Sequence, residues 1–595
     1  MAEGQNSRLH STDTLYKLSV SVVAEKFTIC KEYVPYLPEN VLFDLYYQLW
    51  KEKRLCLLGT ELCHLKTFAR ILKVTNRRIH LLQIFQTLMD HDTGINKELV
   101  MKYELYCLCG KDDPTLCSKI INLGLTLGGF LSDAGWYLES QKVLLACKKL
   151  CINSRQNPKN WCLTLDCCYK LLHAQATYCE FRGAAETREL AVEVVAKLKE
   201  AGYDGVNHAA LYAEFSVLFF NRSEYDQAYR WSMEALKELT PTLPARFTID
   251  VLRQAAKSCV VKREFQKAGI LIKQAVYLAR ELFDVDHPKY SDVLTDYGFY
   301  LLNYDNVINS VSVQKTALEI KKLIFGKTNL LVAIAYEDLA YALYVHEYSS
   351  GKFQQACSPY NIEERIFSCY SDHAVNAINI MEKLLPTEHL MLASAKRVKA
   401  LILEEIALDN RPSVISDQEL LLQSESLHLS ALQLAKTAFG ERNVQTAKHY
   451  GNLGRLYQSM RKFKEAEAMH LKAISIKEEL LGSDDYEVGL SIGHLASLYN
   501  FHMNRYEDAE KLYQRSIAIS LKLFGKSYSG LEYDYRGLLH VYTKLNEYQK
   551  ELEYEHIFNN WKDLRDHHAR CEDPPIDLQK RPQPIREVIQ AVFSL

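Results

Sequence analysis

The chain is dominated by a period. Leu453-Gly454 with Tyr457 returns as Leu495-Ala496 with Tyr499 and again as Leu538-Leu539 with Tyr542, tyrosine following tyrosine at spacings of 42 and 43 residues. A period in that range, with small and apolar residues at fixed offsets, is what stacked helical hairpins produce, because each unit leaves an apolar face that only its neighbours can cover. The predicted product is an all-α superhelix with a long concave surface suited to holding peptides. Binding, not chemistry, is the expected role.

The period can be followed upstream. Ala228 and Ala235 align with Ala268 and Ala275 at 40 residues, and Tyr297-Gly298 aligns with Leu339-Ala340 at 42. Units end on a shared punctuation, Ile324-Phe325-Gly326, Ala438-Phe439-Gly440, Leu481-Gly482 and Leu523-Phe524-Gly525. Glycine after the last apolar turn is the expected helix stop. The phase is weak at Leu127-Gly128 and loosens between Ser349 and Pro412, where insertions are expected, including a polar loop around Asp409 to Pro412.

Charge and composition exclude several classes. The chain's 72 Lys and Arg stand against 74 Asp and Glu, so no global field favours phosphate backbones and no nucleic-acid partner is expected. No uncharged stretch approaches the roughly 20 residues that span a bilayer, and Met1 to Asp13 lacks the basic-then-apolar layout of a signal peptide. A cytoplasmic and nuclear location follows as an expectation. The 16 cysteines are then expected to be free thiols in helix cores, as at Cys162, Cys167 and Cys168. Neither Cys107-Leu-Cys109 nor His567-His568 has a four-donor zinc spacing, so no metal and no cofactor is expected. Gly124 to Gly129 misses the dinucleotide and phosphate-loop patterns, and no His-Glu-x-x-His or serine elbow occurs. No catalytic residue is assigned, and the protein is not expected to be an enzyme.

The expected organisation is a flexible tail over 1–11, a leading helical module over 12–52, a helical bridge over 53–120, the array over 121–565 and a mostly exposed tail with a short terminal helix over 566–595. In the leading module, Leu15, Leu18, Val22, Val23 and Phe27 share one helical face. Pro38 then opens a second helix striped by Val41, Leu42, Leu45 and Leu49.

Leu453-Gly454, Tyr457, Ala466 and Ala473 resemble the tetratricopeptide repeat, and the longer period with its Phe-Gly punctuation and His287-Pro288 resembles the kinesin-light-chain variety. At the front, Thr14, Leu15, Ser19 and Val23 resemble the box that docks on Elongin C, with Ser19 in place of the more usual cysteine. Leu37, Pro38, Val41 and Leu45 resemble the cullin-2 box, and the two together look like a von Hippel-Lindau box. An ordinary capping hairpin is the alternative for either motif alone. Over nearly the whole chain, segments such as Phe130-Leu-Ser-Asp-Ala-Gly-Trp136, Asp296-Tyr-Gly-Phe-Tyr-Leu-Leu302 and Lys399-Ala-Leu-Ile-Leu-Glu-Glu-Ile-Ala407 resemble a family of tetratricopeptide-repeat substrate receptors of cullin-2 RING ubiquitin ligases. The likeness departs at the C-terminal tail and around 351–366. It implies, as partners, Elongin B/C, cullin-2 with its RING protein, and substrate chain ends bearing Arg-x-x-Gly. It also implies a second role as a microtubule- or kinesin-linked adaptor for the cytoplasmic tails of membrane cargo such as amyloid precursor protein, with association to cytoskeleton or membrane. Whether the chain forms a homo-dimer is left open.

The first helices of such hairpins line the groove, so their polar residues are the candidate ligand contacts. Lys448, Asn452 and Arg455 fall at i, i+4 and i+7 and offer two cations and an amide to a terminal carboxylate. Asp296, Glu337 and Asp338 sit on the equivalent helices upstream and offer carboxylates to an arginine of the ligand. Both sets fit an internal ion network as well.

Overall fold

The computed structural model describes residues 14–109, 114–153, 157–203, 205–350, 363–408, 416–570, 576–577 and 579–595. The predicted tail over 1–11, the core of the 351–366 divergence and the polar loop at 409–412 lie outside the described residues. The described residues are helical and contain no strand. They form two compact units, one of 1–174, 189–204 and 324–326, the other of 175–188, 205–323 and 327–595.

In the first unit, helix Leu15–Glu25 packs on helix Glu39–Lys51, with the Tyr16 hydroxyl donating to Asp44 Oδ2 at 2.8 Å. Arg54 donates to the carbonyls of Ala24 and Glu25, and Arg70 to those of Pro35 and Leu37, so two cations satisfy the backbone where the chain leaves each leading element. The leading module is thereby fastened to the 53–120 segment. Phe68, Phe85 and Phe130 form an aromatic cluster with centroids 5.2–6.1 Å apart, tying that segment to the helix Pro114–Asp133. The stretch Thr115–Asp133 is long and apolar enough to cross a membrane by length and composition, and half of it is buried in the protein. Its partner is helix Tyr137–Asn153, which approaches closely at Gly128: a Cβ there would lie 2.5 Å from Leu144 Cγ. Replacing Gly128 with Val is expected to cost about 2–3 kcal/mol in chemical denaturation, because Leu144 is fully buried and has nowhere to retreat.

The second unit is the array. Successive antiparallel pairs include Ala245–Val261 with Phe265–Leu282, Met391–Leu408 with Asp417–Phe439, Val444–Ser459 with Phe463–Leu481, and Tyr486–Phe501 with Tyr506–Phe524. Local chemistry sets each joint. The second helices of three pairs end at Gly440, Gly482 and Gly525, with φ of 81°, 88° and 81°, a region that a side chain disfavours. The next helix is then capped by a side chain that accepts from the backbone two residues on, Asn443 from Gln445 N at 2.8 Å and Asp485 from Glu487 N at 2.8 Å. His287 Nδ1 does the same for Lys289 N at 3.0 Å, with Pro288 at the first helical position.

Residues far apart in sequence also meet. Asn443 donates to the Arg222 carbonyl at 3.0 Å across 221 residues, and Ser529 N donates to Asp305 Oδ2 at 2.9 Å across 224. With a period near 42, about five hairpins complete one superhelical turn before the next turn packs on the first. The C-terminal segment is mostly exposed over its described residues and carries the expected short terminal helix, and it is tethered as well. Gln583 and Gln274 exchange two hydrogen bonds of 2.7 and 3.0 Å, and helix Ile585–Ser594 buries Val588 and Val592 against helix Phe265–Leu282. Ile585, Val588 and Val592 form a narrow apolar stripe at i, i+3 and i+7, which a short helix buries only by docking.

Candidate peptide-binding face and docking helices

First helices of consecutive hairpins touch one another, so their outward polar residues form a continuous face. On helix Val444–Ser459, Lys448, Asn452 and Arg455 do share a side, and the two cations already hold internal partners. Lys448 Nζ lies 2.9 Å from Glu487 Oε1, and the same carboxylate takes Lys477 at 3.0 Å. Burial works against the ionised form of Glu487, yet the two ammonium groups hold its carboxyl well below the usual carboxylate range. Arg455 reaches Glu404 at 2.9 Å, Glu405 at 3.5 Å and the Tyr344 hydroxyl at 2.6 Å, so one guanidinium cross-links three successive first helices. Asn452 is half-buried between the two cations.

The acidic candidates divide in the same way. Asp296 accepts from Arg253 Nε at 2.7 Å and has Lys257 at 3.8 Å. Glu337 and Asp338 are adjacent on helix Leu330–Ser350. Glu337 accepts from Ser394 Oγ, while Asp338 has no hydrogen-bond or salt-bridge partner among the described residues. Burial, and then the charge of Asp338, push the Glu337 carboxyl up to about 7. Burial raises Asp338 to about 6, against the pull of Lys321. Asp338 is thus a half-buried carboxylate that feels Lys321 and Lys257 without a salt bridge to either, a state that an incoming cation relieves.

Spacing did not identify Glu404, Glu487 and Arg397 on the first helices, or Lys477 on the second helix Phe463–Leu481, as members of this ion network. Arg397 lies over the Tyr341 ring at 4.7 Å, and Tyr344 carries the hydroxyl that Arg455 engages. The available signal was the matched position of Glu404 and Arg455 on consecutive first helices, which needs the hairpin register before it means anything.

The leading helices present a different surface. Thr14 caps helix Leu15–Glu25 by accepting from Lys17 N at 3.3 Å, and Ser19 Oγ donates to the Leu15 carbonyl at 2.8 Å. The Leu15 side chain is 81% exposed, and Leu18, Val22, Ile29, Tyr33 and Tyr36 are exposed with it. Val23, Leu37 and Val41 are half-buried and Pro38 is exposed at the N-cap of helix Glu39–Lys51, whereas Leu45 is 1% exposed in the core beneath them. Of these, Ile29, Tyr33 and Tyr36 went unnoticed in the sequence although they recur at i, i+4 and i+7. A run of exposed large apolar side chains on an anchored scaffold marks a protein-interaction surface.

Comparison with protein-family models agrees with the repeat architecture. Tetratricopeptide-repeat family models match residues 404–479 and 488–527. A kinesin light chain of Podosopora anserina with nearly identical TPR-like repeats aligns at 15% identity over 40% of this chain and 97% of its own, with a TM-score of 0.28. Curated relatives from Mus musculus and Rattus norvegicus, both named amyloid protein-binding protein 2, are 51% identical over 580 residues, covering 97% of this chain and 96% of theirs.

Proposed function

Since the chain belongs to the amyloid protein-binding protein 2 family, a family of repeat-based binding proteins, we propose that it is the substrate-recognition subunit of a cullin-2 RING ubiquitin ligase, acting in cytoplasm and nucleus without catalysis of its own. The observation that carries this reading is the exposed Leu15 with its apolar neighbours on a helix fastened to the rest of its unit by Tyr16 and Arg54. Elongin C would take Leu15 into a pocket while Thr14, Ser19 and Val23 shape the helix beside it, and Pro38 and Val41 would meet cullin-2. Leu45 supports that helix from inside.

The array would then take substrate chain ends of the Arg-x-x-Gly type. An arginine of the ligand supplies the salt bridge that Asp338 lacks among the described residues, with Glu337 and Asp296 alongside. The terminal carboxylate is received at Asn452, between Lys448 and Arg455. Because Glu487 and Glu404 already neutralise those cations, the ligand carboxylate shares them in competition, and affinity is expected to fall with salt.

The test uses purified protein, Elongin B/C and a fluorescent peptide ending in Arg-x-x-Gly. Leu15→Asp is expected to abolish Elongin B/C capture and leave peptide affinity unchanged. Amidating the peptide, or Asp338→Asn in the protein, is expected to weaken binding about tenfold, which corresponds to roughly 1.4 kcal/mol. Undiminished Elongin capture by the Leu15 variant would remove the ligase assignment, and indifference to amidation would remove the carboxylate site.

A further inference from the structure

Away from both surfaces, three sulfurs converge in the first unit. Cys147 and Cys151 lie four residues apart on one face of helix Tyr137–Asn153, and Cys167 approaches from helix Pro158–Thr177. Their Sγ atoms all lie within 4.8 Å of one another, and all three residues are buried. The Cys167 thiol is 3.4 Å from the Leu144 carbonyl and that of Cys147 is 3.6 Å from the Ile121 carbonyl, so both sulfurs are oriented by backbone. Hydrogen bonds from Cys147 and then Cys167 hold Cys151 below the usual thiol range, the bond to Cys151 and burial push Cys147 up, and bonds to Cys147 and Cys151 with burial push Cys167 up.

We infer that Cys147, Cys151 and Cys167 form a three-sulfur site for a thiophilic monovalent cation, Cu(I). Trigonal coordination with metal–sulfur bonds of ~2.3 Å needs sulfurs ~4.0 Å apart, so contraction by less than an ångström closes the site. Soft thiolates select Cu(I) and Zn(II) over hard cations. Zn(II) in a closed site takes four ligands, whereas the donor group among the described residues has three members. Binding changes no oxidation state: three Cu–S bonds form, and the three thiol protons they replace leave to the buffer. Cys151 lies in the last turn of its helix, where local opening is cheapest, and that end gives the ion its way in. The spacing Cys-x3-Cys with a third sulfur on the following helix falls outside the familiar zinc patterns, which is why the sequence did not disclose it.

The full-length protein, reduced and handled without oxygen, is titrated with tetrakis(acetonitrile)copper(I) against bicinchoninate, with zinc sulfate as a parallel arm. One tightly held Cu(I) per chain, three sulfur scatterers by X-ray absorption at the copper edge, and a rise in Tm on loading are expected. Loss of even an outer partner of a metal ligand costs about 10–100-fold, so Cys151→Ser is expected to cost at least about 100-fold while Cys56→Ser, at an exposed position, changes nothing. Unchanged affinity in the Cys151 variant, tighter binding of zinc than of copper, or fewer than three sulfurs in the wild-type spectrum would overturn the assignment. Should Cys151→Ser not fold, the wild-type titration and spectrum decide alone.

Discussion

Arg455→Ala is expected to destabilise the protein by about 3–5 kcal/mol, measured by urea denaturation, with faster amide exchange along the helices that Arg455 joins. The magnitude follows from what is left behind. Glu404 is 1% exposed and keeps, besides Arg455, a single hydrogen bond of 2.8 Å from Ser459 Oγ. Removing the guanidinium strands a buried carboxylate, and it also removes the 2.6 Å hydrogen bond that Arg455 gives the Tyr344 hydroxyl. The double variant Arg455→Met with Glu404→Leu removes both charges and keeps most of the volume, so it is expected to lose less than half as much. The comparison bears on function as well. A single variant that costs under about 1 kcal/mol would mean that Glu404 does not depend on Arg455, leaving the guanidinium disposable for a ligand carboxylate.

Asp534→Asn is expected to act in the opposite sense, stabilising the protein by about 3–4 kcal/mol at pH 8 and by under about 1 kcal/mol at pH 4. Asp534 is 4% exposed and accepts from Ser516 Oγ at 2.7 Å, and it pairs with no cation among the described residues. Burial pushes its carboxyl from 3.8 up to about 7. Between those values the folded chain holds a proton that the unfolded chain has released, so stability falls as pH rises through the window. Asparagine keeps the acceptor oxygen and carries no charge, which removes that dependence. The wild-type curve also contains His449 and His470, which burial lowers to about 3 and which therefore cost stability as pH drops below their ordinary 6.5. Their effect cancels in the difference between variant and parent, so a difference that does not grow from pH 4 to pH 8 would refute the assignment to Asp534.

Much of the fold was legible because its causes are local. Gly440, Gly482 and Gly525 stop helices by adopting a backbone that other residues avoid, Asn443 and Asp485 start the next by capping, and Pro38 opens its helix with a ring that needs no amide donor. Each depends on neighbours within a few residues. The same reach places Lys448, Asn452 and Arg455 on one side of a helix, and Leu15, Leu18 and Val22 on one side of another.

The partners of those residues were not legible. Lys448 meets Glu487 and Arg455 meets Glu404 across adjacent hairpins, and Asn443 meets Arg222 across a whole superhelical turn. Cys167 completes a trio with Cys147 and Cys151 from the opposite helix, and Val588 finds its cover on a helix some three hundred residues upstream. A sequence period fixes which faces must be covered, since burial is demanded residue by residue. Which charges and sulfurs then confront one another depends on crossing angles and superhelical pitch, set by the packing of all the hairpins together.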